Sequence, residues 1–185
     1  MTLLPHIGPY SHLPAACHPH DPRAAAVAQR VAGWVTGALP AVAVEHVGSS
    51  AVPGCAGKGV VDLMVVHPDG QLDAVKRVLA ALGFQPQTGR DPWPEERPMR
   101  VGALEHDGQV FRLHIHVIAA SSPEVAELRA FRDRLRADPA LVAAYVARKQ
   151  AILAAGITDS LDYSYAKGPF IRDVLAAIQG SSPDA

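Results

Sequence analysis

Glu45-His46-Val47-Gly48-Ser49-Ser50-Ala51-Val52-Pro53-Gly54-Cys55-Ala56-Gly57-Lys58-Gly59-Val60-Val61-Asp62-Leu63-Met64-Val65-Val66 is the stretch whose reading decides the fold. It reads as a strand ending in a Gly-Ser-Ser turn, a small-residue loop with one lysine, and a second strand with one aspartate inside an apolar run. Small residues let backbone N–H groups and hydroxyls close on an anion, and a carboxylate on the next strand can hold a divalent cation against that anion. The order of strand, turn, loop and aspartate therefore points to a phosphate-and-metal site, which a bare Gly-Ser-Ser would not.

Side chains alternate along a strand, so parity separates a core face from a working face. Val60, Met64 and Val66 share the side of Asp62, and Val61, Leu63 and Val65 face the other way. Both faces are apolar, as in a central strand covered on both sides, where a lone carboxylate is costly without a cation, lysine or histidine beside it. In the run 111–117 the apolar residues are Phe111, Leu113, Ile115 and Val117, and Arg112, His114 and His116 share the opposite face, which is expected to look into a cleft. His114 and His116 have the spacing of a shared metal site, although surface alternation gives the same spacing. Asp62 has a plainer reading as a structural partner of Lys58, Ser49 and Ser50 as helix caps, the basic helix around Arg132 as a solvated face, and His46 as a packed neutral histidine.

Outward from this stretch, Asp21-Pro22 opens a helix over 24–39, with Val27, Val31, Trp34 and Val35 on one stripe. A strand over 42–47 follows, then the Asp62 strand over 59–66. A helix over 72–82 is closed by Gly83. The segment 84–98, with Pro86, Pro92, Pro94 and Pro98, is a loop whose length makes it a candidate lid or binding loop over a site, and Arg90 and Arg97 are its candidate contacts if it closes. Asp107-Gly108 turns a hairpin between 99–105 and 110–118. Helices over 124–137, 139–155 and 161–178 complete one domain, an α+β fold of helices on a mixed sheet. Residues 1–21 carry His6, His12, His18 and His20 without periodicity and read as an irregular arm, a solvated lead-in rather than a metal site. The domain proper spans 22–180, and 181–185 is a frayed tail.

The chain has 185 residues, 49% of them hydrophobic, which suffices for a core without staples. A net charge of −1 does not favour nucleic acid as a partner through bulk charge. No apolar run approaches the ~20 residues of a membrane span. Cys17 and Cys55 lack metal spacing and the chain begins without a charged apolar leader, so the cytoplasm is the expected compartment and no membrane partner is expected.

With these residues assembled, the chain resembles the GrpB family, a branch of the nucleotidyltransferase superfamily that includes DNA polymerase β. The pieces that carry the resemblance are 46–54, Lys58 through Asp62, Leu113-His114-Ile115-His116-Val117, Phe131 through Arg136, Tyr145 with Lys149, and Tyr165 through Lys167 to Ile171. The resemblance implies a nucleotidyltransferase-like fold and a turn gripping the phosphates of a nucleoside triphosphate. It places Ser49 and Ser50 on the phosphate-binding serines, and with the basic residues near the turn the expected phosphate-binding set is Gly48, Ser49, Ser50, Lys58, Arg132, Arg136, Lys149 and Lys167. It also implies Asp62 as the first of three carboxylates that hold two Mg²⁺ ions. Met64 falls where the second carboxylate belongs and histidines fall where the third does. A thioether is a poor ligand for a hard cation, so ordinary two-metal transfer is not expected.

Three functions follow. One is binding of a nucleotide or other small phosphorylated ligand with weak or no transfer. Another is an active transferase or hydrolase in which Asp62, His114 and His116 are catalytic and hold one Mg²⁺, Mn²⁺ or Zn²⁺. The last is a non-catalytic interaction domain.

Overall fold

Two strands form the centre of the sheet in the computed structural model, which describes residues 6–180. The tail 181–185 and the first five residues of the expected arm lie outside the described residues. β2 (Val60–His67) and β5 (Gln109–Ala119) pair in parallel, with Asp62 opposite His114 and Met64 opposite His116. β1 (Ala43–Val47) flanks β2 and β4 (Met99–His106) flanks β5, both antiparallel. The short β3 (Gln85–Pro86) closes the edge, giving the order β1-β2-β5-β4-β3. The sheet is mixed, as its sequence pattern predicts. Asp107 and Gly108, at φ 49° and 71°, make the two-residue hairpin turn, because paired left-handed residues match the twist of the flanking strands.

The parity of β2 and β5 decides what covers each face. Val61, Leu63 and Val65, with Leu113, Ile115 and Val117, pack against α1 (Arg23–Ala38) and α2 (Leu72–Leu82). On the other face lie α3 (Glu124–Ala137), α4 (Pro139–Ala154) and α5 (Ser160–Gly180). These helices share their own core of Phe131, Leu135, Tyr145 and Val174, closed by Val52 and Cys55 from the loop after β1. Met64 belongs to a separate apolar cluster with Val47, Val66, Ile118 and Val125.

Local chemistry sets the boundaries. Asp21 Oδ1 accepts a hydrogen bond from Arg23 N at 2.9 Å, so the expected start holds although α1 begins one residue beyond Pro22. Asp138 Oδ1 accepts from Leu141 N at 3.1 Å, and Gly83 closes α2 at φ 103°. α5 runs past Pro169, longer at each end than its apolar pattern indicates. Segment 84–98 is a loop except for β3, where Pro86 is tolerated because the strand is an edge.

The arm corrects the expectation of a solvated lead-in. Its described part is irregular yet pinned along its length. Ile7 N donates to Leu82 O at 3.0 Å, and Gly8 bridges Ala103. Ala15 N donates to Thr158 O at 2.7 Å, and His18 bridges Gly57. Ile7 enters the main core. Backbone pairing of this kind leaves no periodicity in a sequence.

Candidate functional site

The turn after β1 depends on Gly48, which has φ 71°. A Cβ there would also lie 2.6 Å from Asp62 Oδ2, so any side chain meets both backbone strain and the carboxylate. Ser49–Ala51 then makes a single 3₁₀ turn without a side-chain cap bond, so the serines are not there as helix caps. Ser50 Oγ lies 2.9 Å from His46 Nε2. Burial pushes His46 down to about 4, opposed by Asp62, and keeps it neutral, as its packed position implies.

Asp62 is the hub of the polar face. His114 Nδ1 lies 3.3 Å and His116 Nε2 3.8 Å from Asp62 Oδ1. Burial alone would raise the carboxyl, but hydrogen bonds from His114 and His116 outweigh it and hold Asp62 well below the usual carboxylate range. Both imidazoles have second partners. Tyr10 Oη, from the arm, sits 2.8 Å from His114 Nε2. Arg97, from the 84–98 loop, brings Nη1 to 3.2 Å from His116 Nδ1. Arginine can only donate, which assigns the His116 proton to Nε2, facing Asp62. Arg97 is itself held by Glu124, and Arg90 pairs with Asp159 and Asp162, so the loop is tied across this end of the cleft.

A cavity of about 370 Å³ opens beside the turn, lined among others by Ser49, Lys58, Asp62, Arg112, Lys149 and Lys167. Lys149 reaches it from α4 along the stripe Tyr145, Lys149 and Ile152, the buried residues of that helix. Its Nζ donates to Ser49 Oγ at 3.2 Å and to the Ala56 carbonyl, and lies 3.4 Å from Cys55 Sγ. Lys58 Nζ donates to Ser160 Oγ at 2.9 Å, not to Asp62. Lys167 Nζ sits 5.0 Å from the centre of the Tyr163 ring. Burial first, then the nearby Lys58 and Lys149 charges, push Lys167 down to about 8, with Asp62 opposing. Arg112 Nη2 donates to Lys58 O at 2.5 Å.

The expected residues thus divide. Gly48, Ser49, Ser50, Lys58, Asp62, Lys149 and Lys167 come together, with His114 and His116 just behind Asp62. Arg132 and Arg136 lie behind the turn instead. Arg132 Nη1 binds Glu45 at 3.0 Å and the His46 carbonyl at 3.2 Å, and Arg136 Nε donates to Ala51 O at 2.9 Å. They brace the turn through its backbone. Tyr10, His18, His20 and Tyr163 also frame the site, and the sequence pattern did not single them out for it. Lys149 had a legible signal, a lysine at i+4 and i−3 of buried apolar positions on one helix.

The donor set does not fit two Mg²⁺ ions. Met64 is fully buried in its apolar cluster, away from the cavity. The proton on His116 Nε2 removes that atom as a ligand while Arg97 holds the ring. Among the described residues no group of three or more His, Cys, Asp or Glu side chains is arranged to hold a metal ion.

A five-stranded mixed sheet with this turn and carboxylate defines the nucleotidyltransferase-like fold. A structure of Cid1 in complex with its short product ApU superposes with a TM-score of 0.52 at 17% identity, covering 74% of this chain and 42% of that one. Within that class the chain belongs to the GrpB family, whose model, described as GrpB protein, matches residues 14–177. The crystal structure of the conserved protein GrpB from Enterococcus faecalis superposes with a TM-score of 0.67 at 23% identity, covering 88% of this chain and 96% of that one. A UPF0157 protein of Streptomyces coelicolor is 35% identical over 75% of this chain and 67% of its own length. Another from Pseudomonas aeruginosa is 30% identical over 75% of this chain, a match spanning 56% of the relative. Among the described residues no helix is long and apolar enough to cross a membrane.

Proposed function

We propose that this protein binds a nucleotide or other small phosphorylated ligand in the cavity beside Ser49 and Ser50, and transfers its phosphoryl or nucleotidyl group weakly or not at all. The observation that carries this reading is the meeting of Lys58, Lys149, Lys167 and Arg112 with the Ser49 hydroxyl around one cavity, with no carboxylate among the described residues paired to any of the four. Ammonium and guanidinium groups gathered without counter-ions favour an anion, and hydroxyls and backbone N–H groups of a glycine turn suit phosphate oxygens. Weak transfer follows from Met64. In-line transfer needs charge neutralised on both the entering and leaving oxygens, and the second metal-holding position is apolar here.

Thermal unfolding with each of the four common nucleoside triphosphates and with inorganic triphosphate tests the reading. A ligand at a hundred times its Kd stabilises the folded state by about 2.7 kcal/mol. No rise in Tm with any of them, with or without Mg²⁺, Mn²⁺ or Zn²⁺, would leave an interaction domain in its place. Asp62→Asn is expected to keep most of the binding. Nucleotide turnover that this substitution abolishes would replace the reading with an active transferase or hydrolase.

A further inference from the structure

The resemblance implies a phosphate-and-metal site at this turn, yet the chemistry of the cavity beside it has the opposite balance. Its charged lining consists of four cationic side chains, Lys58, Lys149, Lys167 and Arg112, against two acidic ones, Asp21 and Asp62. Asp21 is already held by Arg23, with Arg23 Nη2 at 2.7 Å from Asp21 Oδ2. Asp62 faces the two imidazoles. Asp62 offsets part of the charge on Lys58 and Lys167 but forms no ion pair with either, so four cations face one available carboxylate.

The three ammonium groups come from elements far apart in sequence: the loop after the glycine turn, the middle of α4 and the second turn of α5. Lys149 is almost completely buried and bonded to Ser49 of the turn. Lys58 and Lys167 lie 5.8 Å and 5.0 Å from the centre of one aromatic ring, that of Tyr163. The Lys167 ammonium has no hydrogen bond or ion pair among the described residues. Polar groups shielded from water in folded proteins are satisfied almost without exception, so this unpaired ammonium on the cavity lining marks the place of a missing acceptor.

We propose that these three ammonium groups stand in for the divalent cations, so that the cavity takes a di- or triphosphate group free of metal. The proposal rests on the reading above, that the ligand is phosphorylated, and adds that no metal accompanies it. The physical reason is charge. A nucleotide complexed with Mg²⁺ has lost two negative charges, and the ion keeps several waters that need room and acceptors. Met64 and the proton on His116 Nε2 offer that ion little, and three lysines would repel it. The metal-free polyphosphate brings its full charge to the same three lysines and an acceptor to Lys167.

Titration calorimetry of the full chain with ATP and with inorganic triphosphate, in excess EDTA and then in excess Mg²⁺, decides the matter. Binding in EDTA at least as tight as in Mg²⁺ is expected, with Lys58→Met and Lys167→Met each weakening it about tenfold, the scale of one charge-assisted hydrogen bond. Binding that appears only with Mg²⁺, Mn²⁺ or Zn²⁺ would overturn the proposal and leave the phosphate reading standing. Binding under neither condition would overturn both. Circular dichroism of the two variants, expected to match the parent, separates lost contacts from lost folding.

Discussion

The two faces of the central strands obey different rules although they alternate residue by residue. On one face Leu63, Val61 and Val65 meet Leu113, Ile115 and Val117 under α1 and α2, and nothing polar intrudes. On the other, Asp62 meets His114 and His116, and toward one end Met64, Val66 and Ile118 return to an apolar environment. The first face can be understood from burial alone. The second cannot, because its two imidazoles are defined by partners from distant segments: Tyr10 from the arm and Arg97 from the loop. What stabilises the fold and what would hold a ligand are therefore separated by one residue in sequence and by the thickness of a sheet in space.

Substitutions can break this contrast in order of effect. Met64→Asp would extend the polar face into the apolar end. It is expected to destabilise the protein by about 4 kcal/mol, because a carboxylate there has no counter-charge, and urea unfolding would show it. A smaller loss at that position would mean the cluster admits water. Leu63→Ala cuts into the purely apolar face and is expected to cost about 3 kcal/mol in the same measurement, with ligand affinity unchanged. Gly48→Ala acts on the turn through positive φ and the 2.6 Å approach to Asp62 Oδ2. About 2 kcal/mol of stability is expected to go with it, together with ligand binding, whereas unchanged calorimetry would show that the turn tolerates displacement of Asp62.

Lys167→Met is the subtlest and runs the other way. Removing one of three mutually repelling charges is expected to raise the stability of the ligand-free protein by about 1 kcal/mol while binding weakens. The pH dependence follows from the same charge. Lys167, faced by Lys58, Lys149, Asp62, Cys55 and Tyr163, titrates near 8 in the folded protein against its ordinary 10.5. The unfolded chain holds that proton more tightly, so the crowding penalty is complete below about 8 and fades as pH rises toward 10.5. Ligand affinity is expected to fall over the same rise. Affinity that stays flat across pH 8 would show that Lys167 does not touch the ligand.

Much of this is legible in the sequence alone. Clean alternation in 111–117 gave both faces of β5, Asp-Gly gave the hairpin, and the apolar run around Asp62 marked a central strand that needed a partner for its carboxylate. These signals are local, with periods of two or of a single turn. Tyr10 and His18 left no such signal, because the arm is held by backbone pairing and single contacts rather than by a repeated face. Arg132 and Arg136 misled for a related reason. A basic helix near a phosphate turn looks the same in sequence whether its guanidinium groups reach the ligand or, as here, the turn's own carbonyls.

The Lys149 to Ser49 bond joins residues a hundred positions apart, and Ala15 reaches Thr158 across nearly the whole domain. Such contacts form late, because the chain must close long loops before they contribute. During synthesis the β1–β2 pair can assemble with Lys58 as soon as it emerges, but its turn lacks Lys149 and Lys167 until α4 and α5 have been made. The pocket is thus a product of complete folding, and a chain arrested before α5 carries the turn without the site.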